Sequence, residues 1–318
     1  MTRTVDGVAE VPFTVPAIVE ERVDRGSIAV LRLRRTDASP WPSWAPGDHV
    51  EIETGCGVRQ YSLCGAADDP HWTIAVLREP EGRGGSDWLH HHALPGAELM
   101  VRGPRTTFPF GTAPEYLFVA GGIGITAIAP MVAQAERDGV PWRLIYSARE
   151  RGAHLFRERY AVDPRVVLWA SESRGRLDLA DHLTGLGDEV AVYGCGPTAM
   201  LDELHRVAAV RHGLKLRTER FAGVATRDHD RTFSLELARS GRTIRVPAGI
   251  SALDAASTAG VFIVSSCRSG YCGSCEVAVL SGVVDHRDSI LDAAERAENS
   301  CMFPCVSRAV GDKVVIDL

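Results

Sequence analysis

Cys267-Arg-Ser-Gly-Tyr-Cys272-Gly-Ser-Cys275 is the stretch from which the rest of the chain can be read. Three thiols stand on one short loop at C-x4-C-x2-C spacing. Two more follow at Cys301 and Cys305, the latter thirty positions after Cys275. Four thiolates around two irons, three of them from one tight loop and one from far along the chain, form the plant-type ligation of a [2Fe–2S] cluster. Such a loop must bend around the cluster and turn backbone N–H groups toward its sulfurs. Ser269, Gly270, Gly273 and Ser274 supply that freedom, because glycine tolerates positive φ and leaves room for close approach. The competing reading is a structural zinc site. Zinc sites usually take paired ligands on short spacers at both ends, whereas here three thiols share one loop. Cys301 and Cys305 both lie near the distance that a fourth ligand needs.

The loop belongs to a segment, residues 233–318, with its own pattern. A hairpin opens it: Thr232-Phe-Ser-Leu-Glu-Leu237, a turn at Ser240-Gly241, then Arg242-Thr-Ile-Arg-Val246. A short helix is expected over Ser251–Ala259, and the strand Lys313-Val-Val-Ile-Asp317 closes the chain. Upstream, residues 222–232 are polar and mixed in charge, which suits a linker.

Residues 115–221 alternate strand and helix. Tyr116-Leu-Phe-Val-Ala120 is a fully apolar strand, and a glycine turn and a helix through Arg137 follow it. Strands are expected at Trp142–Ser147, Val166–Ala170 and Glu189–Gly194, and a helix over Thr198–Arg211 closes the series. This is the pattern of a doubly wound parallel sheet. Gly121-Gly122-Ile123-Gly124-Ile125-Thr126 lies between the first strand and its helix, where a dinucleotide pyrophosphate binds at a helix N-terminus. The glycines do not follow the common G-x-G-x-x-G order. Tyr193-Gly194-Cys195-Gly196-Pro197 ends the last strand at the carboxyl edge, where ligands bind. Cys195 is placed either to meet a nicotinamide or to pack in the core.

Residues 1–114 carry short alternating strands (Ser27–Leu33, His49–Glu53, Trp72–Leu77) between turns at Pro46-Gly47-Asp48, Gly55–Gly57 and Pro95-Gly96. An antiparallel barrel is expected. Arg59-Gln-Tyr61-Ser62 ends one strand. Arginine can pair with a phosphate, a tyrosine ring can cover a flavin face, and a serine hydroxyl can reach flavin N5. Taken alone, a surface arginine beside a core tyrosine is the bland alternative. Gly84-Gly85-Ser86, opening a short helix, adds a second phosphate-binding element. The strand through Ala75 and Leu77 would run beside the ribityl chain.

Composition is that of a folded protein, with 45% hydrophobic and 24% charged residues over 318 positions, enough apolar material for more than one core. A net charge of -6 argues against nucleic-acid binding. The most apolar stretch, Tyr116–Ala133, is broken by three glycines and Pro130, so no membrane span is expected. Met1–Glu10 lacks an apolar leader, the cytoplasm is the expected compartment, and disulfides are not expected there. His90-His91-His92 would point three ways on a helix. Trp41 and Trp44 read as loop packing. Asp288, Asp292, Glu295 and Glu298 read as a solvated helix face or a docking face for a basic partner.

Together these motifs resemble the phthalate dioxygenase reductase family, which includes the vanillate demethylase reductase component. The resemblance covers nearly the whole chain in the order flavin barrel, nucleotide domain, β-grasp-like ferredoxin. It rests on Arg59, Tyr61 and Ser62, on Gly84-Gly85-Ser86, on Gly121-Gly122-Ile-Gly124, on Tyr193–Pro197 and on the cysteines, with Asp285-His-Arg-Asp-Ser289 also similar. It implies FMN held by Arg59, Tyr61, Ser62, Ala75, Leu77, Gly84, Gly85 and Ser86, with Phe221 against the flavin. It implies NADH on Gly121, Gly122, Gly124, Thr126, Cys195, Gly196 and Pro197, with Ser62 and Cys195 as positioning groups. It implies a cluster on Cys267, Cys272, Cys275 and Cys305. Arg149, Arg151 and Arg174 leave NADPH open. Pro104–Phe108 departs from the family, which carries an asparagine before the phenylalanine. The implied protein is a monomeric NADH-dependent reductase that passes single electrons to a separate Rieske-type oxygenase or demethylase. A cytochrome P450 partner, or an iron–sulfur carrier or redox sensor without NADH oxidation, are the rival readings.

Overall fold

Alternation of apolar and polar residues builds the N-terminal sheet. In the computed structural model, which describes residues 14–80, 82, 84–187, 189–210, 214–221, 230–265, 268, 270, 273–288, 290–291 and 293–318, six strands carry it. They are β1 (Thr14–Arg25), β2 (Ile28–Arg35), β3 (Asp48–Thr54), β4 (Gly57–Ser62), β5 (Trp72–Leu77) and β6 (Glu98–Thr106). They pair antiparallel in the order β4-β3-β6-β1-β2-β5. Ala17 and Val19, Leu31 and Leu33, Val50 and Ile52, and Ile74 and Val76 turn one face inward at the period of two that a strand imposes. Trp41 stacks on buried Trp72 at 3.9 Å and donates its indole N–H to Leu33. The sheet curls toward closure: past β4, the Cys64 N–H donates to the carbonyl of Thr73 in β5 at 2.9 Å. Helix α1 (Gly85–His92) adds Leu89 to this core.

The chain divides into two units, one running through Phe118 and resuming at Ile125–Gly175, the other made of Val119–Gly124 and Arg176–Leu318. Strand β7 (Glu115–Gly121) runs through both. In the first unit it is followed by β8 (Trp142–Ala148) and β9 (Val166–Ala170), in the second by β10 (Val190–Cys195) and β11 (Lys215–Glu219). The order is β7-β8-β9 in the first and β11-β10-β7 in the second, with β8–β9 and β10–β11 both parallel. Every residue of β10 and all but the first of β7 are buried, as a parallel sheet covered on both faces requires. The helices are α2 (Ile125–Arg137), the short α3 (Arg157–Tyr160), α4 (Ser171–Arg174) and α5 (Leu179–Leu183), and α6 (Thr198–Ala209). The expected last helix does not close the series. It ends at Ala209, and β11, a polar strand with only Glu219 buried, follows it.

In the C-terminal segment, β12 (Phe233–Leu237) pairs with β13 (Arg242–Val246) as the expected hairpin, and in parallel with the last strand, β18 (Lys313–Ile316). With β14 (Val277–Ser281) and β16 (Cys301–Met302) the order is β13-β12-β18-β14-β16, and β15 (Val284–Asp285) and β17 (Arg308–Ala309) form a separate ribbon. Helix α7 (Ala252–Thr258) is capped by Ser251, whose Oγ accepts the Asp254 N–H at 3.0 Å. It buries Leu253 and Ala256 in the segment's core. Helix α8 (Ala293–Glu298) precedes β16. Most of the expected linker lies outside the described residues.

Two arginines are buried at the start of this segment. Arg287 pairs with Asp230 and with Asp285, each at 2.6 Å. Arg308 donates to the carbonyls of Ile250, Pro247 and Arg231. The Arg287 and Asp230 side chains are 6% and 1% exposed. Removing Asp230 leaves Arg287 with Asp285 as its remaining carboxylate, so the cost is that of one buried charged hydrogen-bonding contact, about 1.5–3 kcal/mol. Asp230→Ala is therefore expected to lower the denaturant midpoint of the C-terminal segment by that equivalent. Denaturation followed by circular dichroism checks it.

Candidate functional site

The β3–β4 ladder and the start of α1 meet at Arg59. Ile52 lies opposite Arg59, Val50 opposite Tyr61 and His49 opposite Ser62. Ser62 is buried, and Tyr61 packs against the edge of the barrel core. A Cβ built on Gly85 would come within 2.3 Å of Arg59 Nε and 2.5 Å of its Cγ, so the arginine stem occupies the space that a side chain would need. Gly84 sits in the left-handed region at φ 79°, and no side chain caps α1. A guanidinium beside uncapped helix N–H groups is a cradle for a phosphate. Ser86 Oγ accepts the Glu79 N–H at 3.1 Å, which ties the turn down and leaves the hydroxyl proton to donate. His90 Nε2 lies 2.9 Å from the carbonyl of Val76, fixing α1 to β5 between Ala75 and Leu77. The sequence motifs on β4, β5 and α1 thus converge.

Buried acids hold this ladder in register. Glu51, 2% exposed, accepts from Gln60 at 3.0 Å and faces Arg105 at 3.5 Å. Asp48 accepts from the Ala45 N–H and from the Thr106 hydroxyl. Neither acid stands out as a site residue in the sequence. The available signal is a carboxylate inside an otherwise apolar strand, which needs a partner if it is buried.

The glycine turns at the ends of β7 and β10 interlock. A Cβ on Gly124 would fall 2.3 Å from the carbonyl oxygen of Cys195. One on Gly196 would fall 2.9 Å from Gly121 Cα, and one on Gly121 2.5 Å from Pro197 Cδ. Two main chains pass at backbone contact, and only glycine allows it. Gly122, at φ 53°, has open space where a Cβ would point. Thr126 is buried in the first turn of α2. Cys195 is fully buried opposite Glu219. Burial, reinforced by the Glu219 carboxylate, pushes its thiol well above the ordinary value. At the carboxyl ends of β8 and β9 the Glu172 N–H donates to the carbonyl of Arg149, and the Arg174 guanidinium lies 3.8 Å over Trp169.

Of the four cysteines expected to hold the cluster, Cys275 and Cys305 are described and both are buried. Cys267 and Cys272 lie outside the described residues. Gly270 and Gly273 take positive φ (77° and 75°), and a Cβ on Gly270 would meet Val306 at 2.6 Å. Cys301 sits in β16 opposite Ala278, whereas Cys305 follows Pro304 in the turn beyond it. Thiols on a glycine-bent loop and on a second buried turn are the donor set that a [2Fe–2S] cluster takes.

Other expectations resolve locally. His90 faces the Val76 carbonyl, His91 that of Asp87 and His92 that of Trp88, three different directions. The acidic run is not one solvated face. Asp288 is buried and accepts the Ile290 and Leu291 N–H groups, while Glu295 and Glu298 on α8 are exposed. Asp292 lies outside the described residues. Phe221 follows β11 and is half-buried. Among the described residues no helix is long and apolar enough to cross a membrane.

Comparison with known proteins follows the same division. Residues 235–310 match the family model of the 2Fe-2S iron-sulfur cluster binding domain. The chain is 40% identical over 277 residues to the phenoxybenzoate dioxygenase subunit beta of Ectopseudomonas oleovorans, covering 86% of this chain and 87% of that one. It is 37% identical to the toluene-4-sulfonate monooxygenase system reductase subunit of Comamonas testosteroni, covering 98% and 99%. Among solved structures it matches phthalate dioxygenase reductase, described as a modular structure for electron transfer from pyridine nucleotides to [2Fe–2S] (29% identity, TM-score 0.73, 96% and 98% covered). It also matches an intact type IV self-sufficient cytochrome P450 monooxygenase (36% identity, TM-score 0.78, 96% of this chain). The chain spans 41% of that P450's length.

The thiols differ in reactivity. Burial pushes Cys64 up to about 12 and Cys195 well above its usual range, whereas Cys56 is exposed. Only thiolate is alkylated, and a raised pKa keeps the thiol protonated until the pH approaches it. Iodoacetamide at pH 8–9 is expected to label Cys56 and to leave Cys64 and Cys195 unlabelled until the protein is denatured. Peptide mass spectrometry checks it.

Proposed function

The chain belongs to the family of reductase subunits that serve oxygenase systems, with the architecture of phthalate dioxygenase reductase, and from that premise we propose that it carries electrons from NADH through FMN and a [2Fe–2S] cluster to a separate oxygenase component. The observation that carries the reading is a pair of cradles in one chain, each of which a Cβ would fill: Gly85 beneath Arg59, and Gly121, Gly124 and Gly196 at the carboxyl edge of the parallel strands. We assign FMN to residues 1–114, NADH to 115–221 and the cluster to 233–318, with 222–232 linking the last two.

In this assignment Arg59 and the N–H groups opening α1 hold the FMN phosphate, assisted by Ser86. Ala75 and Leu77 on β5 line the ribityl chain. Tyr61 covers the ring, and Ser62 orients its N5 edge. The turns at Gly121–Gly124 and Cys195–Pro197, with Thr126, hold the dinucleotide. Cys195 acts by position, since its thiol is buried and protonated. Cys267, Cys272, Cys275 and Cys305 hold the cluster. Bound FMN supplies the chemistry that converts a two-electron hydride into single electrons. The side chains supply binding and orientation and need not act as acid or base.

NADH is the nicotinamide donor that we favour. A Rieske-type oxygenase or demethylase is the acceptor that we favour. The likeness to part of a self-sufficient P450 supports a P450 acceptor as the second reading.

Anaerobic titration with NADH tests the relay. Flavin bands and a broad red absorption should bleach together. Flavin alone, with zinc found by metal analysis, sinks the proposal. Gly85→Ala should displace Arg59 and weaken FMN binding roughly tenfold to a hundredfold, the equivalent of one charged hydrogen-bonding contact. Fluorescence of released flavin measures it, and unchanged retention would contradict the phosphate assignment.

A further inference from the structure

The segment leading into the cluster loop exposes apolar side chains that the fold does not need there. Phe262 is 85% exposed and Val264 65%, while Ile263 between them is 7% exposed and packs into the core of the segment. Ile263 turns inward, so its two neighbours turn outward. Val264 stands three residues before Cys267. Ile290 borders Gly273, 4.0 Å from where a Cβ on that glycine would lie. Charged groups accompany the cluster segment: Arg268 of the loop pairs with Asp254 of α7, and Glu276, next to Cys275, and Glu295 and Glu298 of α8 are exposed.

Exposed apolar patches mark an interaction surface. Electrons leave the chain from the cluster, and transfer to a second protein is short-ranged, so the acceptor must seat beside the loop. We propose that Phe262 and Val264 form the apolar centre of the surface on which the electron-accepting oxygenase component docks. The partner presents an apolar patch over its own redox centre, ringed by lysine and arginine that meet the carboxylates and the anionic, thiolate-held cluster. Charge steers such encounters, and the apolar centre holds them in register. The proposal rests on the relay reading given above.

Ferric cytochrome c, a small basic haem protein, is the probe: NADH + 2 ferricytochrome c → NAD⁺ + H⁺ + 2 ferrocytochrome c. Ferricyanide, small enough to need no docking surface, reports NADH oxidation independently. Phe262→Ser and, separately, Val264→Ser are expected to lower kcat/KM for cytochrome c and to raise its Kd, measured calorimetrically at low salt, each about tenfold, as for a central contact residue. Ferricyanide reduction and the visible absorption of the cluster should stay at wild-type values. Phe262→Leu should keep most of the affinity. Val162→Ser, a control at a side chain 91% exposed in the other unit, should change nothing. Wild-type affinity and rate in both serine variants overturn the proposal. A wild-type protein that reduces ferricyanide but shows no cluster absorption overturns the relay reading, whereas one with full cluster absorption that neither binds nor reduces cytochrome c overturns the docking surface alone.

Discussion

Backbone-to-backbone contact at the ends of β7 and β10 is the constraint on which the site proposed for the dinucleotide depends. Gly124 lies so close to the Cys195 carbonyl, and Gly196 to Gly121, that one methyl group would separate the two turns. Such closeness brings main-chain N–H groups of two turns to one place, and a pyrophosphate is bound by main-chain N–H groups rather than by any one side chain. The site proposed for FMN repeats the principle in another form. There a single glycine, Gly85, admits the stem of Arg59. Positive-φ glycines, Gly270 and Gly273, also shape the described part of the cluster loop. The three sites therefore share a requirement for missing side chains more than for particular present ones.

This explains which features were legible in the sequence. Glycines and cysteines at fixed spacing survive as patterns because the chemistry needs those residue types and no others. The apolar run of β7, the hairpin β12–β13 and the helix α7 with its Ser251 cap were readable from local period and capping. Strand β11 was not. Its residues, Lys215-Leu-Arg-Thr-Glu219, are mostly polar, and it is a strand because β10 offers it a parallel partner, with Cys195 opposite Glu219. Tertiary pairing overrode propensity there. Asp48, Glu51 and Asp288 were hidden for a related reason. A carboxylate in a sequence reads as solvated until the structure shows the donors that surround it, and all three are buried with partners.

Where charge is buried, it secures chain entry. Asp230 and Arg231 are the first described residues after 222–229, and both are held at once. Arg287 grips the carboxylate of Asp230, and Arg308 grips the carbonyl of Arg231 while its guanidinium lies 5.1 Å from the centre of the Phe233 ring. Arg308 is in β17 and Arg287 follows β15, so the two-stranded ribbon clamps the segment's first residues. A hydrophobic clamp of similar volume is often as stable as a buried ion pair. The ionic one adds direction, since a guanidinium accepts only a limited set of geometries from its partners.

Electron relay makes different demands from acid–base catalysis, and the residues reflect it. Hydride and electron transfer require closeness and orientation, which preorganised binding supplies, so no pair of side chains with pKa values pushed toward neutrality is needed. The buried thiols fit this division. Cys64 and Cys195 are moved away from neutrality, into the range where they stay protonated and inert. A reactive thiol in a redox protein would compete with the relay as an alternative electron acceptor, whereas a buried, protonated one only fills space. Burial thus serves both packing and redox isolation.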